Sequence, residues 1–531
     1  MNPIESSRFE VVVIGGTPGG IAAAIAAARL GRQVLLVESH RRIGGMSASG
    51  LGKSDVEKRH LIGGIFQDFT SRIKCHYKEQ FAQASEDYQL CQDGYYFEPS
   101  VAEKVFSDML GEYPNLELLT HHRLTSARVE TDTLRAVKII DIDSGIAREI
   151  NAPVFIDATY EGDLLAAAGA EFRVGRESRD QFGEPHAGKI YFDYQSAEIL
   201  PGTTGAGDQR IPAYTYRLCL STRAENSRQL ESPPEEYDRN HYTGYFGDLA
   251  AGRLAGPKNL KPGRGYEPSH FNTLVRALSV TPLPNDKTDV NINPRPLGFP
   301  FAEENAGYLE GSAEEREVIC RRIRNLTLGL LYFLQNDPEI PEEHRKIANR
   351  YHLPKDEFTD TDNFPFQLYV REGRRLVGEY TLTECDITTL GEGKTDERYD
   401  AVAIGEFPID SFPCRKRQPE DSVVLEGYLG MLDSITRPYQ IPYRIMIPQR
   451  IDGLIVPVAA STTHVAFSSI RMEPTWMALG QAAGTAAHLS WATGEKLRNV
   501  PIARMQKQLT DDGQILKHFE SQTENLTECS I

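Results

Sequence analysis

A short run, Phe9 to Ile14 (FEVVVI), leads directly into Gly15-Gly-Thr-Pro-Gly-Gly20 and an alanine-rich stretch, Ile21 to Leu30. The run is apolar, β-branched and of strand length; the alanine-rich stretch predicts a buried helix. Gly31 predicts a left-handed end to that helix. Val34 to Val37 predicts a second buried strand, with Glu38 at its end. Together these segments read as one strand–turn–helix–strand unit. Its glycines let backbone approach a ligand closely, and its helix N-terminus offers N–H groups and positive potential to a pyrophosphate. An acid about 20 residues further on is placed to hold an adenosine ribose. The unit predicts a dinucleotide site formed by Gly15, Gly16, Thr17, Pro18, Gly19, Gly20, Glu38 and Ser39. In the G-x-G-x-x-G frame Thr17 replaces the middle glycine, and its hydroxyl is expected to serve as a donor there.

A second glycine pair narrows the cofactor. Gly44-Gly45-Met46 follows the acid and opens a Gly/Ser-rich loop up to Gly52. A plain NAD dehydrogenase has no such pair; flavoproteins of the glutathione-reductase type do. No Cys-x4-Cys follows, so the thiols of a disulfide reductase are missing. Leu454 to Val458 predicts a further buried parallel strand. A hydroxyl-rich loop with His464 follows, then Arg471-Met-Glu-Pro474 and a small-residue helix, Thr475 to Leu489, with Gly480, Ala483 and Gly484 on its slim side. Phe155-Ile-Asp-Ala-Thr159 reads as one more strand of the same sheet, ending in Asp157, Ala158 and Thr159, with Tyr160 where such proteins carry glycine. Residues 117–154 predict a small β-meander.

Composition excludes several classes. Lys plus Arg is 58 and Asp plus Glu is 75, a net charge of −17. A chain this acidic is not expected to bind nucleic acid broadly. No apolar run reaches the roughly 18 residues of a membrane span, and Met1 to Glu10 lacks the apolar core of a signal peptide. The seven cysteines are scattered without a CxxC pair. The chain is expected to be cytoplasmic, a monomer or homodimer, and to need no metal, since its histidines are dispersed.

The segments GGTPGGIAAAIAAARLG, GGMSASGLGKSDV, YYFEPSVAEKVF, FIDATYEGDLLAAAGAEFRVGRES, QLYVREGRRLVGEY and SSIRMEPTWMALGQAAGTAA together resemble the FAD-dependent oxidoreductase family, some of whose members are labelled "xanthan lyase-related". The family is similar to the glutathione-reductase and fumarate-reductase flavoproteins. The resemblance implies an α/β fold: a glutathione-reductase-type FAD domain of Rossmann-like design, with a mixed α+β substrate domain inserted. FAD-binding residues are expected at 1–170 and 401–500, the insertion at 171–400, and a tail at 501–531. Met46, Asp157, Ala158, Thr159, Arg471, Met472 and Gly480 join the expected FAD contacts. FAD is expected to be noncovalent, with His40 the histidine placed for any covalent link.

Four residues carry the expected chemistry. His464 lies beside the predicted flavin edge, either as a general base or as a structural histidine. Arg471 is either a cation near the flavin pyrimidine or a salt-bridge partner of Glu473. Arg371 and Arg374, read as one face of a helix, form either an anion clamp or ion pairs with Glu372 or Glu379. Arg217, on a predicted strand with Thr215, is expected to line a pocket floor. The function expected is hydride transfer between flavin N5 and a small polar substrate (alcohol, amine or C–C bond), with O2 or another electron acceptor. The alternative is a non-catalytic FAD-fold scaffold or carrier. In the insertion, Pro282 to Pro300 predicts an irregular connection, and Glu314 to Leu334 an amphipathic packing helix that includes Val318.

Overall fold

The computed structural model describes residues 8–193, 198–250, 277–292, 299, 301–389, 398–417 and 424–518. Strand β1 (Val11–Ile14) enters the centre of a parallel sheet, and helix α1 (Pro18–Arg29) carries the chain back to β2 (Val34–Val37). Helices α2 (Gly64–Gln80) and α3 (Pro99–Gly111) precede β3 (Leu116–Leu119). Strands β4 (His122–Glu130), β5 (Thr133–Asp141) and β6 (Ala147–Asn151) form the expected antiparallel meander. β7 (Val154–Asp157) then returns beside β1.

In the insertion, β8 (Leu218–Ser221), β9 (Leu278–Leu283) and β10 (Lys287–Ile292) make a three-stranded antiparallel sheet. Pro282 therefore belongs to a hairpin, while residues 293–298 and 300 of the expected irregular stretch lie outside the described residues. Helix α4 (Ala313–Asn336) opens on a capping box between Ser312 and Glu315. Val318 is 56% exposed on it and takes no part in the core.

Near the C-terminus, β11 (Leu454–Ile455) completes the five-stranded sheet in the order β11-β7-β1-β2-β3, all parallel. The predicted strand to Val458 is cut to two residues, because Val456 donates to Met446 and the chain leaves the ladder there. Helices α5 (His464–Ile470) and α6 (Glu473–Thr493) follow.

The sheet strands read as continuous apolar runs because both faces are covered. β1 and β2 are at most 4% exposed throughout, and each fully buried Val, Leu or Ile contributes about 1.5–3 kcal/mol. α6 lies against α1 with almost no side-chain volume between them. A Cβ on Gly480 would stand 2.0 Å from the Gly19 carbonyl oxygen, and one on Gly484 would stand 2.2 Å from that of Ala23. The sequence between Leu368 and Leu376 is not a helix. Its backbone N–H groups are spent on three other segments: Tyr369 on Thr215, Arg374 on Glu161 and Leu376 on Ala459. Arg371 and Arg374 consequently share no helix face. Arg217 sits just before β8, not within it.

Candidate cofactor and active site

The glycine turn has the backbone that its sequence requires. Gly15 adopts φ +104°, and a side chain there would collide with the Ala158 carbonyl. Thr17 is the N-cap of α1: its hydroxyl accepts from Gly20 N at 3.2 Å and donates to the Ala158 carbonyl at 2.8 Å. The hydroxyl expected to serve a ligand is thus spent on tying the turn to β7. Pro18 fills the first helical position, where no N–H partner is needed.

The Glu38 carboxylate lies over the turn. It accepts from Gly16 N at 2.6 Å, His40 N at 2.8 Å and the Ser39 hydroxyl at 3.1 Å. Gly44 donates to the Gly16 carbonyl, so the two glycine loops touch. An N-terminal helix turn, a second glycine loop and an acid between them form the donor and acceptor set of a dinucleotide, and these residues fit FAD. The His40 ring packs edge-on against Phe366 at 5.2 Å.

Tyr160, in the place of a glycine, is buried and joins three segments. Its hydroxyl donates to Glu473 Oε1 at 2.5 Å and accepts from Met46 N at 3.0 Å, while its ring tilts against Trp476. Burial pushes the Glu473 carboxyl up to about 8, against the opposing hydrogen bond from Tyr160. Of the two alternatives for Arg471, the salt bridge with Glu473 is not formed. Arg471 instead donates to the Tyr369 hydroxyl at 2.9 Å and the Asp410 carbonyl at 2.7 Å. Met472 is the N-cap of α6. Two expected cofactor contacts have other work. Gly480 turns its open side to Gly19. The Asp157 carboxylate accepts from Thr159 N, the Thr159 hydroxyl and Leu165 N, closing the turn after β7.

His464 is the first residue of α5 and only 3% exposed. Its Nδ1 lies 2.7 Å from Glu372 Oε2, and its backbone N donates to Glu177 Oε2 at 2.8 Å. Arg375 stands between these acids. Its Nη1 donates to Glu177 Oε1 at 2.8 Å, and its Nε lies 3.0 Å from Glu372 Oε1. Burial raises the Glu177 carboxyl, but Arg375 and the His464 N–H outweigh it and leave the group below its ordinary value. Beside them, Thr463 donates to Glu184 Oε1 at 2.6 Å, and burial lifts Glu184 to about 7. Glu384 accepts from both the backbone N and Nδ1 of His186.

The other predicted cations separate. Arg374 pairs with Asp163 at 2.9 Å and caps the Glu161 and Leu309 carbonyls, a structural tie. Arg217 is held by Asp289 at 2.6 Å and Asp55 at 3.1 Å, so its charge is already answered. Glu379 serves Arg498, not Arg371. Arg371 reaches the Ala213 carbonyl at 2.8 Å and lies against the rings of Phe412 and Tyr369, at 3.5 and 4.2 Å. Sequence reasoning missed Glu177, Glu184 and Tyr369; Glu177 stands in VGRES and Tyr369 in QLYVREGRR, but only the fold brings Glu177 to His464, Tyr369 to Arg471 and Glu184 to Thr463.

A parallel sheet of this strand order, with a glycine turn, an acid and a second glycine loop at its C-terminal edge, defines an FAD-binding Rossmann-type fold. The family profile described as "FAD dependent oxidoreductase" matches residues 10–509, and the chain belongs to that family. No curated protein matches the chain. Among solved structures, it is similar to a glycerol-3-phosphate dehydrogenase from Bacillus halodurans complexed with FAD, at 13% identity over 36% of this chain and 44% of that one, TM-score 0.23. An anhydrotetracycline hydroxylase from Streptomyces rimosus aligns at 15% identity over 32% of this chain and 38% of that one, TM-score 0.22. An L-proline dehydrogenase from P. horikoshii aligns at 18% identity over 32% and 25%, TM-score 0.18. The chain spans less than half the length of each, and at these scores the alignments carry no argument about substrate. Among the described residues no helix is long and apolar enough to cross a membrane, and no cluster of metal ligands is present.

Proposed function

We propose that this chain oxidises a small polar organic substrate, an alcohol, an amine or a saturated C–C bond, and that His464 accepts the proton released. The observation that carries this reading is the buried contact between His464 Nδ1 and Glu372. A carboxylate only accepts, so Nδ1 carries the hydrogen, and Nε2 of the neutral ring is left as the acceptor. A base oriented in this way by a buried acid is ready to take a proton from a substrate hydroxyl or ammonium group. Glu372 is in turn held by Arg375, and the His464 backbone by Glu177, so the ring has little freedom to turn away. FAD, when bound, supplies the two-electron acceptor.

In the same reading, Gly15, Gly16, Gly19 and Gly20 receive the pyrophosphate at the start of α1. Glu38 accepts from the ribose, and Gly44, Gly45 and Met46 border the cofactor's length. Arg471 and Met472 lie toward the flavin, and residues 171–400 supply the substrate face. An anaerobic screen of alcohols, amines and hydroxy acids for bleaching of the bound flavin tests the proposal. His464→Ala should keep its yellow colour and bleach far more slowly with every substrate that the parent accepts. Bleaching at the parental rate in that variant ends the assignment.

A further inference from the structure

Arg371 is 1% exposed, and among the described residues no carboxylate makes an ion pair with its guanidinium. The neighbouring buried cations are served: Arg375 by Glu177 and Glu372, Arg217 by Asp55 and Asp289, Arg374 by Asp163. Arg371 has one firm hydrogen bond, to the Ala213 carbonyl, and a long one of 3.5 Å to Asn291 Oδ1. Its Nε is buried without a partner. The rings of Phe412 and Tyr369 take up its flat faces, leaving the guanidinium edge as the side able to receive an oxygen acceptor.

The surroundings aggravate the imbalance. Burial, together with Arg471 and Arg217, pushes the Arg371 guanidinium down to about 9, against the opposing pull of Tyr369 and Asp410. It is still a cation at neutral pH. A buried charge without a counter-ion is destabilising, and an anion at the guanidinium edge supplies the missing partner. Arg471, bonded to the Tyr369 hydroxyl and capping α5, adds a second cation on the same aromatic ring. Arg371 and Glu372 are adjacent in the chain, and Glu372 holds His464. An anion at Arg371 is therefore linked by one peptide unit to the residue that orients the base.

We infer that Arg371 binds the carboxylate of the substrate, which makes the substrate class an organic acid bearing an oxidisable C–H, such as a 2-hydroxy or 2-amino acid. This rests on the proposed function for its oxidisable bond, but the carboxylate site stands on its own observation.

The test is calorimetric titration of the oxidised, FAD-loaded protein with a panel of redox-inert monocarboxylates of increasing size, such as acetate, isobutyrate and benzoate, and with the matching amides. At least one acid should bind saturably at a single site, and its amide should bind roughly 10- to 100-fold more weakly, the scale of a lost charge-assisted hydrogen bond. Arg371→Met should abolish the acid–amide difference and Arg371→Lys should restore part of it. If Arg371→Met does not fold, the acid–amide comparison on the parent and on Arg371→Lys still decides. Equal binding of acids and amides, or no binding of either across the panel, overturns the proposal. So does an Arg371→Met that binds acids like the parent while the flavin midpoint potential falls, which would assign the cation to the flavin. No turnover is involved, so failure here leaves the His464 assignment standing, and failure of bleaching leaves this site standing.

Discussion

His464 Nδ1 and Glu372 Oε2 lie 2.7 Å apart, both buried, on segments 92 residues apart in sequence. This pair converts a histidine into a directed one. Glu372→Gln should keep the packing but offer Nδ1 an amide in place of a carboxylate. The expected result is retained FAD, with flavin reduction slowed by about 10- to 100-fold. His464→Ala should lose roughly 10²–10⁴-fold, the usual scale of a general base. Stopped-flow bleaching with one accepted substrate measures both, and a Gln variant slower than the Ala variant contradicts the assigned roles.

The Glu38 carboxylate lies over the glycine turn, accepting from Gly16, Ser39 and His40. Glu38→Ala should weaken FAD binding by about 1–3 kcal/mol, since the ribose hydroxyls lose a charged acceptor. Flavin fluorescence during titration of apoprotein reads the change, and parental affinity in the variant would refute the ribose assignment.

Arg375 answers two buried acids at once. Arg375→Met leaves Glu177 and Glu372 buried without their cation, and roughly 3–5 kcal/mol of destabilisation is expected. The urea midpoint should drop accordingly, even in apoprotein. A variant as stable as the parent would mean that the two acids protonate or rearrange at little cost.

Glu473 titrates near 8 when folded, against an ordinary value of 4.5, chiefly because it is buried. The folded state therefore binds a proton that the unfolded chain has already released between those values. The stability this contributes is full below about 4.5 and is lost as pH rises through about 8. Glu473→Gln, which is neutral throughout, should flatten that part of the melting-temperature profile of the apoprotein. An unchanged slope between pH 5 and 8 would show that Glu473 is ionised in the fold.

Gly480→Ala places a methyl carbon against the Gly19 carbonyl, 2.0 Å away before relaxation. Neither helix backbone yields cheaply, so about 1–3 kcal/mol of destabilisation is expected, with weaker FAD retention because α1 carries the glycine turn. Circular dichroism melting and flavin release measure the two effects on one sample.

The glycine turn, both early strands, Glu38 and the C-terminal helix were legible because each rests on a local rule: β-branched runs, backbone conformations that favour glycine, and an acid at a set distance. The polar residues were less legible. Arg371, Glu372, Arg374 and Arg375 are neighbours in sequence, and periodicity placed two of them on one helix face. The backbone is instead drawn out by hydrogen bonds to Thr215, Glu161 and Ala459, contacts that no local pattern encodes. Once extended, the side chains part: Arg371 goes to Phe412 and Arg374 to Asp163, while Glu372 and Arg375 meet each other and reach His464 and Glu177. Tyr160 was legible as an oddity, but its bond to Glu473 depends on α6 arriving from the far end of the chain.

The pairing of β7 with β11 sets an order of events during synthesis. β7 leaves the ribosome about 300 residues before Leu454 and Ile455. At roughly 5–20 residues per second, its outer edge waits for about 15 to 60 s. Throughout that interval it is an apolar strand with unpaired backbone groups, open to any other strand nearby. The slim face of α1 is likewise bare until Gly480 and Gly484 are made. Recombinant yield of this protein should therefore depend on translation speed and on chaperones that shield sheet edges, even where the finished fold is stable.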